Sequence, residues 1–217
     1  MRIKIWSDVR CPFCYIGKKK FETALAGFSG KDQVEVEWKS FQLDPTLKTD
    51  PNINTLEYFV KTKGISEEQA RQMLSGATEM AAEVGLNFDL ESSILANSFM
   101  AHRLIQLAKL KGLANEAEEA LFKAHFIKGQ NIDDFKVLEE ISTSIGIDTD
   151  EVKNLLNSDA FGYEVKQDEM EARNIGVKGV PFFVIDDKYA ISGAQSSEAF
   201  LQTLEEAWKE FQPNKTK

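Results

Sequence analysis

The chain is short of cysteine and histidine, with two of each among 217 residues, and carries only five prolines. Two cysteines cannot form a disulfide framework, and a chain of this length can bury most of its apolar surface without one. Long apolar runs are missing too. The longest stretch without Asp, Glu, Lys or Arg runs from Ser92 to His102; it is too short to span a bilayer, and no membrane partner is expected. There is no basic stripe. Lys and Arg number 26 against 35 Asp and Glu, a net charge of −9, which argues against a nucleic-acid partner. The one dense basic run, Lys18-Lys19-Lys20, reads as the solvated face of a helix. The opening Met1-Arg2-Ile3-Lys4-Ile5-Trp6 reaches a cysteine by residue 11, leaving no room for the apolar core of a signal peptide, so a cytoplasmic protein is expected. The oligomeric state stays open, because interface and core residues share one pattern. What is present, 42% hydrophobic and 28% charged residues, suits a folded globular chain. Only Pro213–Lys217 are expected to depart from order.

The first 45 residues read as strand, helix, strand. Arg2–Ser7 alternates, with Ile3, Ile5 and Ser7 on one face. Pro12 suits the first turn of a helix whose apolar face carries Gly17, Phe21, Ala24, Leu25 and Phe28, and Gly30 supplies the stop. Val34–Leu43 has a strand pattern. From about Thr55 to Asn174 the pattern is helical throughout. Ser66 with Gln69, and Asp148 with Glu151, form capping boxes, and a helix is expected from Asp159 to Asn174. After Gly176 the period changes: Val180–Ile185 and Tyr189–Ser192 read as a hairpin turning at Asp186-Asp187, and Ser197 is placed to cap a last helix. The order is an α/β arrangement, β-α-β then β-β-α, interrupted by a large all-helical insertion. Residues 1–48 and 176–217 form one discontinuous domain and 49–175 the insertion. Strands joined through a helix should run parallel, and the closing hairpin antiparallel.

The two cysteines lie three residues apart, where a strand passes into a helix. A helix N-terminus offers free N–H groups and partial positive charge, both of which favour a thiolate, the nucleophilic form of sulfur. One turn separates the sulfurs, so Cys14 can resolve a mixed disulfide formed at Cys11. Arg10 would assist ionisation of Cys11 and Asp8 would oppose it. Two other readings remain. The pair could be half of a zinc site, for which His102 and His125 are too widely separated to complete a finger, so no metal is expected; or the thiols could be inert and buried. Phe13, between the cysteines, should be partly exposed and would either meet substrate or cover the sulfurs. His102 reads as structural or solvent-facing, and His125 as a helix-surface residue without a role.

Ser7-Asp8-Val9-Arg10-Cys11-Pro12-Phe13-Cys14-Tyr15-Ile16-Gly17-Lys18 resembles the active-site segment of the DsbA-type thioredoxin superfamily, nearest its FrnE-like dithiol-disulfide isomerase branch. Gly179-Val180-Pro181-Phe182-Phe183-Val184 resembles that family's cis-proline segment, and Ser192-Gly193-Ala194-Gln195 its turn into the last helix. Ala96-Asn97-Ser98-Phe99 and Ala101-His102-Arg103 resemble its helical insertion. The resemblance implies a thioredoxin-like fold and a cis Pro181 beside Cys11, with Val180 and Pro181 meeting extended substrates. It also implies substrate-facing roles for Asn97 and His102. The dipeptide between the cysteines is Pro-Phe, without the His of the periplasmic oxidant, so strong oxidising power is not implied. The expected activity is a cytoplasmic thiol–disulfide oxidoreductase or isomerase cycling the Cys11–Cys14 disulfide, with no bound cofactor. Its partners would be protein or small-molecule disulfides and thiols, with glutathione a candidate co-substrate. Two alternatives stand beside it. One is a glutathione-dependent isomerase or transferase of the hydroxychromene carboxylate isomerase or kappa type, against which the cysteine pair argues. The other is a redox-sensitive, chaperone-like binding module.

Overall fold

The structure, a computed structural model, describes residues 1–211; the expectation for Pro213–Lys217 lies outside the described residues. Strand β1 (Arg2–Ser7) pairs in parallel with β2 (Glu35–Ser40), and helix α1 (Pro12–Gly27) joins them. A helical crossover returns the chain in the same direction, which is why the pair is parallel. On its other side β1 runs antiparallel to β5 (Phe182–Ile185), which forms a hairpin with β6 (Tyr189–Ser192), giving the order β2-β1-β5-β6. The hairpin turns at Asp186 and Asp187, both with positive φ, a conformation that aspartate tolerates better than most residues.

Alternation along β1 fixes both faces of the sheet. Ile3 and Ile5 lie opposite Ile185 and Phe183 and join Phe21 of α1 and Phe200 of α9 (Ser197–Phe211) in the main core. The Phe183 ring centroid sits 5.5 Å from that of Phe21 and 4.6 Å from that of Phe200. On the other face Trp6 packs with Phe182, Val184, Val177 and Ala172. Ala172 belongs to α8 (Gly162–Asn174). The Trp6 indole N–H donates to the Asp168 carbonyl at 3.0 Å. The Asp168 carboxylate accepts from the Ser40 N–H at 3.0 Å and from Gln106 Nε2 at 2.6 Å. One carboxylate thus ties α8 and α4 (Phe99–Leu110) to the end of β2.

Between β2 and β5 the chain is mostly helical: α2 (Thr55–Lys63), α3 (Glu67–Ala82), α4, α5 (Ala114–Phe126), α6 (Phe135–Ser144), α7 (Thr149–Leu156) and α8. Reciprocal capping boxes open α2 at Asn54 with Glu57 and α3 at Ser66 with Gln69. The insertion is not all-helical, however. Strands β3 (Asp50–Asn54) and β4 (Ile94–Leu95) pair antiparallel with a register shift. Asp50-Pro51-Asn52-Ile53-Asn54 has neither alternation nor β-branched enrichment, so its pairing comes from tertiary context. The helix expected from Asp159 begins at Gly162. Arg103 explains the delay: its guanidinium donates to the carbonyls of Leu155, Ser158 and Ala160, holding that segment out of a helix, and Phe161 adopts a left-handed φ of 63°. At α9 the capping hydroxyl is that of Ser196, which accepts from the Ala199 N–H; Ser197 lies inside the helix. Among the described residues no helix is long and apolar enough to cross a membrane.

The basic run departs most from its expectation. Lys18 is not solvated but 1% exposed, and its ammonium lies 2.5 Å from Glu22 and 2.8 Å from Glu119. Lys18 falls one turn after Cys14, on the inward face of α1; helical period decides its place, not local charge. A buried ammonium is tolerable because carboxylates meet it. Burial would raise the Glu119 carboxyl, but hydrogen bonds from Lys18 and Lys19 outweigh it and hold its pKa down to about 2.

Candidate active site

The loop Asp8-Val9-Arg10 ends β1 and delivers Cys11 to the N-cap of α1 in extended conformation, with Pro12 opening the helix. The Cys11 N–H donates to the Asp8 carbonyl at 2.9 Å and the Cys14 N–H to the Cys11 carbonyl at 3.0 Å. Both cysteines are free thiols. The Cys11 thiol donates to the Val180 carbonyl at 3.5 Å, and the Val180–Pro181 peptide is cis. The Val180 backbone, expected to meet an extended substrate, thus has its carbonyl engaged by Cys11 while that sulfur keeps its proton. Pro181 is held in turn: its carbonyl accepts from the Gly193 N–H at 2.8 Å.

Gly17 completes the packing. A Cβ built there would lie 2.9 Å from Pro181 Cγ and 3.5 Å from Ala194 Cα. The proline ring cannot swing aside as a flexible side chain would, so Gly17→Ala is expected to shift the Pro181 segment. It should destabilise the fold by about 1–3 kcal/mol in urea unfolding, with a parallel loss of any activity that needs Pro181 beside Cys11.

The two sulfurs are unequal. Cys11 is 4% exposed and lines a cavity; Cys14 is 1% exposed and does not. Burial, reinforced by the hydrogen bond and charge of neighbouring Cys11, pushes the Cys14 thiol well above the ordinary cysteine range. Asp8 has no solvent exposure. Its carboxylate accepts from the Leu43 N–H at 2.8 Å and the Arg10 N–H at 3.2 Å, and lies 3.5 Å from His102 Nε2. That separation is an ion-pair contact rather than a formed hydrogen bond, and neither imidazole nitrogen has a hydrogen-bond partner among the described residues. Burial opposes charge on both groups, but each outweighs it for the other: the Asp8 carboxyl is lowered and the His102 imidazole raised. Buried Glu118, 3.5 Å from the Ser7 hydroxyl, is raised by burial to about 7 despite the opposing charges of His102 and Lys18.

The cavity at Cys11 has a volume of about 460 Å³. Its walls include Tyr58 and Phe59 of α2, Leu74 and Ala77 of α3, Leu95 of β4 and Phe126 of α5, with Phe13 also at its edge. Phe13 is 41% exposed. Arg10, Asp44 and Lys63 supply the charge. Val180 and Pro181 do not line it, so Cys11 stands between two separate features. Neither Asn97 nor His102 faces the cavity. His102 is fully buried against Asp8, and Asn97 accepts from the Phe99 N–H at 2.7 Å while donating to the Leu47 carbonyl at 2.7 Å. Among the described residues no group of three or more His, Cys, Asp or Glu side chains is gathered for a metal ion.

His125 corrects its expectation. It is buried and lines the cavity, and its Nδ1 has no hydrogen-bond partner among the described residues. The signal was available, because His125 shares with Leu121, four residues earlier, the inward stripe of α5. Burial lowers its imidazole to about 4, with Arg10 contributing in the same direction. A base held below its ordinary 6.5 binds its proton more readily when unfolded. Stability tied to His125 is therefore intact above pH 6.5 and falls as pH drops toward 4. His125→Gln should remove that component, narrowing the loss between pH 7 and pH 4 by up to about 3 kcal/mol in urea melts of the two proteins.

Comparison with known proteins places this geometry. The family described as DSBA-like thioredoxin domain matches residues 2–205. The chain is similar to a solved probable DsbA oxidoreductase from Streptomyces coelicolor, with 39% identity and a TM-score of 0.91 over 97% of this chain and 91% of that one. The uncharacterized protein YwbO of Bacillus subtilis (strain 168) is 28% identical across 96% of this chain and 98% of its own. The cytosolic disulfide reductase DsbM of Pseudomonas aeruginosa, also solved with GSH, shares the fold at 14% identity, with a TM-score of 0.68 over 96% of this chain and 99% of that one.

Proposed function

The chain belongs to the DSBA-like thioredoxin domain family, and on that premise we propose that it is a thiol–disulfide oxidoreductase or isomerase of FrnE-like type, working through Cys11 and Cys14. The observation that carries this reading is the inequality of the two sulfurs. Cys11 stands at a helix N-terminus, on a cavity wall, within 3.5 Å of the Val180 carbonyl. Cys14 waits one turn behind it with its proton held by burial.

In the forward direction the Cys11 thiolate attacks one sulfur of a substrate disulfide. That S–S bond breaks, a substrate thiolate leaves, and a mixed disulfide forms. Cys14 then gives up its proton and attacks the Cys11 sulfur; the second substrate thiolate leaves, and Cys11–Cys14 is oxidised as the substrate gains two electrons. Loss of the Cys11 proton also frees the Val180 carbonyl, which would then be open to the N–H of an extended substrate. In this reading residues 1–48 and 176–217 carry the chemistry, residues 49–175 cover it, and the setting is the reducing cytoplasm. Glutathione is a candidate electron source, the Pseudomonas reductase having been solved with GSH.

The test is insulin reduction by dithiothreitol with and without the protein. Accelerated precipitation is expected; equal rates would overturn the proposal.

A further inference from the structure

The cavity at Cys11 is more selective than exchange chemistry requires. Its volume of about 460 Å³ falls in the range of small-molecule sites. Tyr58, Phe59, Leu74, Ala77, Leu95 and Phe126 make its body apolar, and cationic Arg10 and Lys63 outnumber acidic Asp44 at the same cavity. Tyr58, Leu74, Leu95 and Phe126 are themselves buried, so packing within the protein holds these walls in place. A buried imidazole, His125, adds an unpartnered Nδ1, a polar atom that costs free energy until something pairs with it. The cis-proline segment, where a polypeptide backbone would pair, lies outside the cavity.

We propose that this cavity selects low-molecular-weight disulfides or thiols that join an aromatic or branched apolar body to a carboxylate. This rests on the exchange reading above. The apolar body fills the space between α2, α3 and β4, the carboxylate meets Arg10 or Lys63, and the sulfur is presented to Cys11. Glutathione fits the apolar body of this cavity poorly, since its peptide groups and its several charges would be stripped of water there; as an electron source it would need to bring only its thiol to Cys11. The electron count is that of exchange: the substrate disulfide takes two electrons and becomes two thiols, Cys11–Cys14 becomes a disulfide, and a dithiol, or two glutathione thiols, return the electrons.

The test uses two matched disulfides, those of 2-sulfanyl-3-phenylpropanoate and of 2-sulfanylpropanoate, which differ only in the phenyl ring. Oxidation of the reduced protein by each is followed by stopped flow and normalised to the rate at which the same disulfide oxidises dithiothreitol in the absence of protein. The phenyl compound is expected to react about 30-fold faster, the scale of burying one such ring, and oxidised glutathione no faster than the smaller disulfide. Ala77→Phe, which fills the cavity, should bring the ratio toward one. Should that variant misfold, Met73→Glu, at an exposed position of the cavity rim, should lower the same ratio. Equal rates for the two disulfides would overturn the cavity assignment and leave exchange standing. Failure of every disulfide to oxidise the protein would overturn the exchange reading, and the assignment with it. A preference for Phe beside cysteine in peptide disulfides, with none among the small ones, would give the cavity to a protein side chain and overturn the proposal.

Discussion

Cys11→Ser is expected to abolish insulin reduction, by about 10³-fold or more, because a hydroxyl is no substitute for a thiolate in attack on sulfur. Cys14→Ser should fail differently. On the proposed cycle it keeps the attacking sulfur and loses the one that resolves, so in the absence of an external thiol one substrate equivalent is captured and turnover then stops. The difference follows from position: Cys11 lines the cavity while Cys14 lies inside, its thiol held protonated by burial. Identical behaviour of the two variants, both inactive without capture or both still turning over, would contradict the assignment.

Asp8→Ala is expected to be the most destabilising single change near the site. It removes the acceptor for the Leu43 and Arg10 N–H groups and leaves His102 buried without its nearest counter-charge. Breaking a buried pair from one side costs about 3–5 kcal/mol. The pH dependence has a definite sign. Asp8 is depressed from 3.8, so its contribution is present above that value and lost as pH falls through the folded pKa. His102 is raised from 6.5, so its contribution is present below that value and lost as pH rises through the folded pKa. The gap between wild type and Asp8→Ala should therefore be widest from about pH 4 to 6.5 and narrow at higher pH. Urea midpoints at pH 5.5 and pH 8.5 check this; equal gaps would mean that the pair contributes no charge interaction. His102→Leu added to Asp8→Ala should recover part of the loss, since it removes the stranded imidazole.

The position of the cysteine pair was more legible in the sequence than its surroundings. Cys11 and Cys14 announced themselves by spacing and by their place between an alternating strand and a helix opened by proline, both local features. The central sheet was legible for the same reason: period-two burial of Ile3 and Ile5, and the crossover through α1, sufficed for a parallel β1–β2 pair. The short ladder β3–β4 was not, because Asp50–Asn54 has no strand character of its own. Lys18 and His125 depart from their expectations because helical phase outweighs residue type in placing them. A lysine between two carboxylates, and a histidine on an inward stripe, are both buried at the same spacing as their apolar neighbours. In the sequence Asp8 is only a charge near Cys11; its tie to His102 joins residues far apart in the chain, and no local pattern reports that. The cavity was hidden likewise, since its walls come from α2, α3, β4 and α5 and converge only in three dimensions.

The most direct test of the account is to trap the first covalent step. Reduced Cys14→Ser, Cys11→Ser and wild-type protein are each mixed with insulin, acid-quenched, and peptide-mapped by mass spectrometry without reduction. The account predicts an insulin adduct on Cys11 in the Cys14→Ser protein, none on Cys14 in the Cys11→Ser protein, and an intramolecular Cys11–Cys14 disulfide in wild type. An adduct that forms on Cys14 as readily as on Cys11, or on neither sulfur, would contradict it.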